Sequence, residues 1–438
     1  MHPKIFGGIL GRRDLSSDLQ QLQEYGIPEI DLVIVDLYPF EKTVTSTTNE
    51  AEIIEKIDIG GISLIRAAAK NFKDVVIIPS ADEYADLLLL LNEKQGHTSL
   101  EDRKLLACKA FNVSSHYDTH IFNYFNKEAQ LPVFKQSVLQ NNSLRYGENP
   151  HQQATFYGNI ADYFNQLHGK EISYNNMLDI DAAITLINDF DETTFAIIKH
   201  NNACGIASRK KLVDAWKDAL AADPISAFGG ILICNRIVDE ETALEINNLF
   251  FEIIIAPNFE NNALEILKSK KNRIILQKKD FVLNDKQFKT LLNGVIAQKR
   301  DTLVEKPENL KTVTHTLLTN EQVTDMLFAN IVVKHTKSNA IVLVKDKQLL
   351  ASGVGQTSRV DALKQAIAKA KTFGFNLEGA VMASDAFFPF ADCVEIAYNE
   401  GIKAVIQPGG SVRDQDSIDF CNQHHIAMAF TGNRHFKH

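Results

Sequence analysis

FAIIKHNNACGIA, Phe195 to Ala207, sets a short β-branched run against a polar stretch that ends on Gly205. The apolar half reads as a buried strand of an α/β protein, and the rest as the loop leaving it. Lys199 and His200 stand at the exit. Neighbouring strand residues point to opposite sides, so the two reach one substrate only if the chain twists or bulges there. A strand ending in Lys-His is also the ordinary way for a chain to come out to water, and both readings stay open at this point.

Working outward, the stretch has a partner. IIKHNNACGIA from Ile197 is similar to VVKHTKSNAIV from Val332, and LVDAWKDAL from Leu212 to RVDALKQAI from Arg359. Val342 to Ser358 then reads as a hairpin inserted in the second copy. Each copy ends in a polar-to-aromatic turn, DPISAFGG from Asp223 and SDAFFPF from Ser384. Segments matching in the same order imply two related α/β units, about 144–330 and 331–438, with a substrate cleft between them. Ahead of them LRYGENPHQ, Leu144 to Gln152, reads as a rigid polar loop suited to holding an anion through Arg145, or simply as a capped turn. Asn258 to about Glu308 reads as a connector with outer helices and a strand at RIILQ. The last strands, AVI before QPGGSVRD and IAMAF before TGNRHFKH, emerge in polar turns whose basic side chains suit a phosphate or carboxylate.

The first 130 residues carry their own α/β signal. LVIV closes on Asp36 and a Tyr38-Pro39 turn, residues 50 to 57 read as helical, IDIGGISLIRAAAK turns into a helix, and DVVIIPS is a second buried strand. Such alternation implies a parallel sheet with ligands at the strands' carboxyl ends, and Tyr38, Asp58 and Lys70 fall at or near these boundaries. Ala81 to about Lys127 is helical in period, broken around Gln95 to Thr98. Residues 128–143 read as a crossing segment. The opening MHPKIFGGILGRR reads as going straight into a Gly-Gly turn.

Composition narrows the function. A chain of 438 residues, 45% apolar and 23% charged, with a net charge of −9, is ordinary globular material whose partner is expected to be small, neither nucleic acid nor membrane. Five scattered cysteines, none in CxxC spacing, suggest neither a disulfide framework nor a zinc site and fit a reducing cytoplasm. HExxH, Walker A and GxSxG are absent, and GVGQTS at Gly353 lacks the third glycine of a dinucleotide fingerprint. Cys204 near His200 keeps a thiolate nucleophile open, beside a plain small-residue packing role.

LRYGENPHQ, KHNNACG, SAFGG, KHTKSNA, SDAFFPF and QPGGSVRD, in that order, resemble the bifunctional purine-biosynthesis family AICAR transformylase/IMP cyclohydrolase, and the likeness runs through essentially the whole chain. It implies an incomplete cyclohydrolase domain of methylglyoxal-synthase-like, Rossmann-like fold at 1–130. A transformylase of two cytidine-deaminase-like subdomains is implied at 131–438, used without zinc because HxE and PCxxC are missing. The implied reaction is formyl transfer from the cosubstrate 10-formyltetrahydrofolate to AICAR, giving formyl-AICAR, with no catalytic metal, in a cytoplasmic homodimer.

By the same resemblance His200 matches the general base, Lys199 the group that steadies the oxyanion, and Asn339 the residue that orients the formyl oxygen. Arg145, Tyr146, Asn176 and Arg434 match nucleotide-binding positions and Asp414 a folate-side carboxylate. Tyr38, Asp58 and Lys70 match the ring-closing site. Asn202-Ala203-Cys204-Gly205 stands where many members have Asn-Pro-Cys-Gly. The family carries further residues ahead of HPKIFGGILGRR, including a phosphate-gripping Lys-Thr step. The resemblance therefore implies weak or lost ring closure and an exposed or rearranged sheet edge in the first domain. A cysteine- or metal-dependent hydrolase or deaminase, and a non-catalytic nucleotide-binding scaffold, remain as other readings.

Overall fold

A computed structural model describes residues 2–438, and the chain divides into two compact units, 1–140 and 141–438. In the first unit, α1 (Pro3–Leu10) and α2 (Ser16–Glu24) precede β1 (Leu32–Ile34), α3 (Phe40–Ser46), α4 (Glu50–Ile54), α5 (Gly60–Lys70), β2 (Val76–Ile78), α6 (Tyr84–Glu93) and the long α7 (Leu100–Ala129). β1 and β2 pair in parallel as expected. The Gly7-Gly8 pair, however, lies inside α1 and makes no turn. Glycine serves close approach there, since a Cβ on Gly8 would stand 2.3 Å from the carbonyl oxygen of Pro28. Ser99 and Asp102 form a reciprocal capping box that starts α7 after the break. Ile65, Ala68, Val75, Ile77 and Ala110 form the centre of this unit's core. Leu32 and Ile34 of β1 face solvent.

The second unit opens with a two-stranded hairpin, β3 (Asn141–Leu144) and β4 (Ala154–Tyr157), which carries the Arg145–Gln152 loop. After β5 (Phe164–His168) comes the series α8 (Tyr174–Ile187), β6 (Thr194–Lys199), β7 (Asn202–Ser208), α9 (Leu212–Ala222), β8 (Ile231–Cys234), α10 (Glu240–Ile246), β9 (Ile253–Ala256), α11 (Asn261–Lys268), β10 (Ile274–Lys278). An exposed hairpin, β11 (Lys286–Leu291) and β12 (Gly294–Lys299), stands where the lysine-rich sequence reads as helical. β13 (Lys311–Thr312) then leads into α12 (Asn320–Lys334), β14 (Ile341–Lys345), β15 (Gln348–Gly353), α13 (Arg359–Thr372), β16 (Val381–Ser384), α14 (Asp392–Asn399), β17 (Ala404–Gln407), α15 (Asp414–Gln423) and β18 (Ala427–Phe430).

The two series have the same order of elements and meet in one mixed sheet, β13-β18-β17-β16-β14-β15-β7-β6-β8-β9-β10-β5. That order reads the same from both ends, so a pseudo-dyad passes between β15 and β7. The seam has a single antiparallel register pair, Gln348 with Ala207. Cohesion comes from one hydrophobic core shared by both copies, in which Ile184 and Leu186 of α8 and Met326 and Val333 of α12 take part. On the opposite face each copy keeps its own core, around Trp216 in the first and around Leu363 and Phe388 in the second.

The duplication is thus real, but its register differs from the sequence match. IIKH ends a strand whereas VVKH ends helix α12, so the counterpart of Lys199-His200-Asn201 is Lys345-Asp346-Lys347. Val342 to Ser358 is no insertion; most of it is the second copy's equivalent of β6 and β7. The two aromatic turns are not equivalent either, since DPISAFGG precedes β8 whereas SDAFFPF follows β16.

Candidate functional site

NACGIA, read as part of a loop, belongs to the second strand of a tight hairpin. Lys199 pairs with Asn202, leaving His200 and Asn201 as the two turn residues, with φ of +51° and +65°. Positive φ at both positions is the type I′ pattern that matches strand twist, and neither residue here is glycine. The β6–β7 register shifts between Ile197 and Ile198, just before Lys199. The turn is held from several sides. Asp179 on α8 accepts the Asn201 N–H at 2.6 Å, Asn202 Nδ2 donates to the His200 carbonyl at 2.7 Å, and Lys437 Nζ donates to the Asn201 carbonyl at 3.1 Å. Burial raises the Asp179 carboxyl above its usual range, against the opposing pull of the Asn201 N–H.

The second copy repeats the device. Asp346 and Lys347 also have positive φ, and Asp325 on α12 accepts both of their N–H groups, at 2.8 and 2.7 Å. Each tip borders a cleft. Asn201 lines one of about 700 Å³ together with Asp181, Asp189, Arg300, His335 and Lys437, and Asp346 and Lys347 line another of about 720 Å³. His200 is exposed at the turn, and Lys199 donates to the Phe228 carbonyl at 2.8 Å. Neither is among the residues lining these two clefts.

The Lys337–Asn339 segment abuts this hairpin, because the Lys337 N–H donates to Asn202 Oδ1 at 2.8 Å. Asn339 is fixed at both ends of its amide. Nδ2 donates to the carbonyls of Gln356 and Thr357, and Oδ1 accepts from Arg359 at 3.0 Å. Arg359 also pairs with the buried Asp385 at 2.7 Å. The C-terminal segment closes the same region: Lys437 Nζ spans Asn201 and His335, and its backbone bonds to Ser338 in both directions. Arg434 is exposed, its guanidinium over the Phe436 ring at 4.3 Å.

The other positions form separate groups. Exposed Arg145 and half-buried Tyr146 sit on the β3–β4 loop, which is tied to the start of α8 by Asn175 Nδ2 donating to the Glu148 carbonyl at 3.1 Å. Asn176 follows, its Oδ1 accepting the Ser173 N–H as part of the cap of α8. Asp414 accepts the Gly410 and Ser411 N–H groups with Oδ2, in a turn joined to the Arg434 segment by the Gly432 N–H to Pro408 carbonyl bond. In the first unit, Asp58 is buried before α5. It accepts the Gly61 N–H and donates its own N–H to the Tyr117 hydroxyl. Lys70 is the last residue of that helix, and Tyr38 is exposed with Lys56 5.6 Å from its ring.

Several groups escape a reading of the sequence. His335 and Lys334 share Asp189 at 2.6 and 3.0 Å, and burial lowers the His335 pKa. His435 lies between Asp301 and Glu305. Their partners are far away in sequence, so only the KH pair itself was a visible signal. Cys204 is no thiolate: burial pushes its thiol up to about 12.

These features define a mixed α/β protein whose larger unit is an internal duplication, with polar residues gathered on one hairpin tip and the segments against it. A family described as the AICARFT/IMPCHase bienzyme matches residues 68–369. The chain is 63% identical over 438 residues to the bifunctional purine biosynthesis protein PurH of Bacteroides thetaiotaomicron, covering 86% of that relative. It is 46% identical to the PurH protein of Persephonella marina and 47% to that of Aquifex aeolicus, spanning 87% and 88% of them. In each case the whole of this chain is matched. The chain belongs to the AICARFT/IMPCHase bienzyme family.

Proposed function

We propose that this chain transfers the formyl group of 10-formyltetrahydrofolate to the 5-amino group of AICAR, giving formyl-AICAR in purine biosynthesis. The match over all 438 residues to a bifunctional purine biosynthesis protein carries this reading. The acceptor amine is a poor nucleophile, its lone pair delocalised into the ring and carboxamide, so it must lose a proton as it attacks. His200 on the fixed turn is the base, a role worth on the order of a hundredfold or more. Lys199 steadies the oxyanion and helps to protonate the departing folate nitrogen. Asn339, immobilised by Arg359 and two carbonyls, orients the formyl oxygen. Arg145, Tyr146, Asn176 and Arg434 hold the nucleotide, and Asp414 faces the folate. Each of the two copies is deaminase-like in this reading, and a homodimer completes the site.

For closure to IMP the candidates are Tyr38, Asp58 and Lys70. Asp58 lies just before α5, Lys70 ends that helix and Tyr38 is exposed; in this reading ring closure is the weaker half-reaction. Separate assays of formyl transfer and of IMP formation test both statements. His200→Ala should cost formyl transfer about a hundredfold or more while nucleotide binding persists, and unchanged transfer would remove the assignment. Robust IMP formation would overturn the weaker-half reading.

A further inference from the structure

In the first unit, α7 presents His116 and His120 one turn apart on the same face, their rings 4.4 Å apart. Glu41, in the first turn of α3, reaches across to them. Its Oε2 is 3.2 Å from His116 Nε2 and its Oε1 is 3.6 Å from His120 Nε2, and one ligand atom from each of the three residues falls within 4.8 Å of the other two. We propose that these three side chains bind a divalent transition-metal ion of the zinc class.

The spacing is the argument. A tetrahedral ion with bonds of about 2.0–2.1 Å sets its ligand atoms about 3.3 Å apart; the two carboxylate–imidazole distances, 3.2 and 3.6 Å, are near that value, and one donor from each residue lies within 4.8 Å of the other two, so small side-chain rotations suffice to close the set. His116 Nδ1 lies 2.9 Å from Ser137 Oγ. Donation from Nδ1 to that hydroxyl fixes the tautomer and leaves the Nε2 lone pair facing Glu41 and His120, the outer support that metal-bound histidines ordinarily have. Two imidazoles with one carboxylate suit zinc, cobalt, nickel or copper and are a poor set for calcium or magnesium, which take oxygen ligands. The imidazoles are mostly buried, while the carboxylate is 56% exposed. Solvent can therefore supply a fourth ligand, the open geometry of a three-residue site. Glu41 lies two residues after Pro39 of the Tyr38-Pro39 turn, so the ion would pin the segment after β1 to α7.

The full chain, stripped with chelator and dialysed, is titrated with Co²⁺ while its visible d–d absorption is followed, and Zn²⁺ is then added. One equivalent of Co²⁺ should bind with tetrahedral bands and be displaced by Zn²⁺. His120→Gln and Glu41→Gln should each weaken binding by about tenfold or more, with circular dichroism unchanged. Absence of a displaceable Co²⁺ signal in the wild type, or an equal signal in wild type and both folded variants, overturns the proposal.

Discussion

Replacing His435 with glutamine removes a proton that the fold retains well into the alkaline range. The imidazole is buried, 3% exposed, with Nδ1 2.6 Å from Asp301 and Nε2 3.0 Å from Glu305. Burial alone would strip its proton. The hydrogen bonds and charges of the two carboxylates outweigh that and raise its pKa from 6.5 to about 9. At about 1.4 kcal/mol per pH unit, the difference is worth on the order of 3 kcal/mol. Because the folded value is the higher one, this stability is complete below 6.5 and disappears as pH climbs through about 9. Asp301 and Glu305, both held below their usual values, lose the same interactions at the acid end. The chain's one tryptophan, Trp216, lies in a core of this unit. Urea unfolding followed by its fluorescence therefore reads the right part of the molecule. The wild type should exceed His435→Gln in unfolding free energy most near pH 6, and the gap should narrow by about 3 kcal/mol at around pH 9.5. A gap that is constant across that interval refutes the reasoning.

Three further outcomes follow from packing and charge. A Cβ at Gly205 would stand 1.9 Å from the Ala219 carbonyl oxygen, and one at Gly353 1.8 Å from that of Ala362. Gly205→Ala and Gly353→Ala should each cost about 2–3 kcal/mol in a thermal melt, since backbone must move, and an unchanged melting temperature would contradict the close helix–strand approach. Arg359→Met strands the buried carboxylate of Asp385 and should cost about 3–5 kcal/mol, more than the loss of a surface pair; urea unfolding measures it. Iodoacetamide at neutral pH should label exposed Cys108 and spare Cys204, whose thiol sits at about 12. Peptide mapping that finds Cys204 alkylated first would reopen the thiolate reading.

Strands such as DVVIIPS and IAMAF, and helices α5 to α7, were legible because their apolar periodicity is their packing. NNACGIA was not, because nothing local distinguishes a polar loop from a strand that lies next to the duplication's seam. The hairpin at Lys286–Lys299 was missed for the opposite reason: it is largely exposed, so its lysines carry no burial pattern to read. The repeat was visible, yet matching KH to KH misplaced its register by about a dozen residues. The true equivalents share a positive-φ pair and not the same letters, and φ leaves no mark in a sequence when glycine is absent. Lys199, His200 and Asn339 could be singled out because they cluster in short motifs. Asp179 and Asp189, which hold those motifs in place, lie among other acids in LDIDAA and NDFDE and become conspicuous only when folded.

The paired tips have a bearing on how such a protein can change. Both copies use an aspartate to hold two awkward dihedral angles through backbone N–H groups, so that grip does not run through the turn side chains: one copy displays imidazole and amide, the other carboxylate and ammonium. A scaffold that presents the same pedestal twice can keep one in service while the other drifts, and new specificity can arise there by exchanging two side chains without disturbing the sheet beneath.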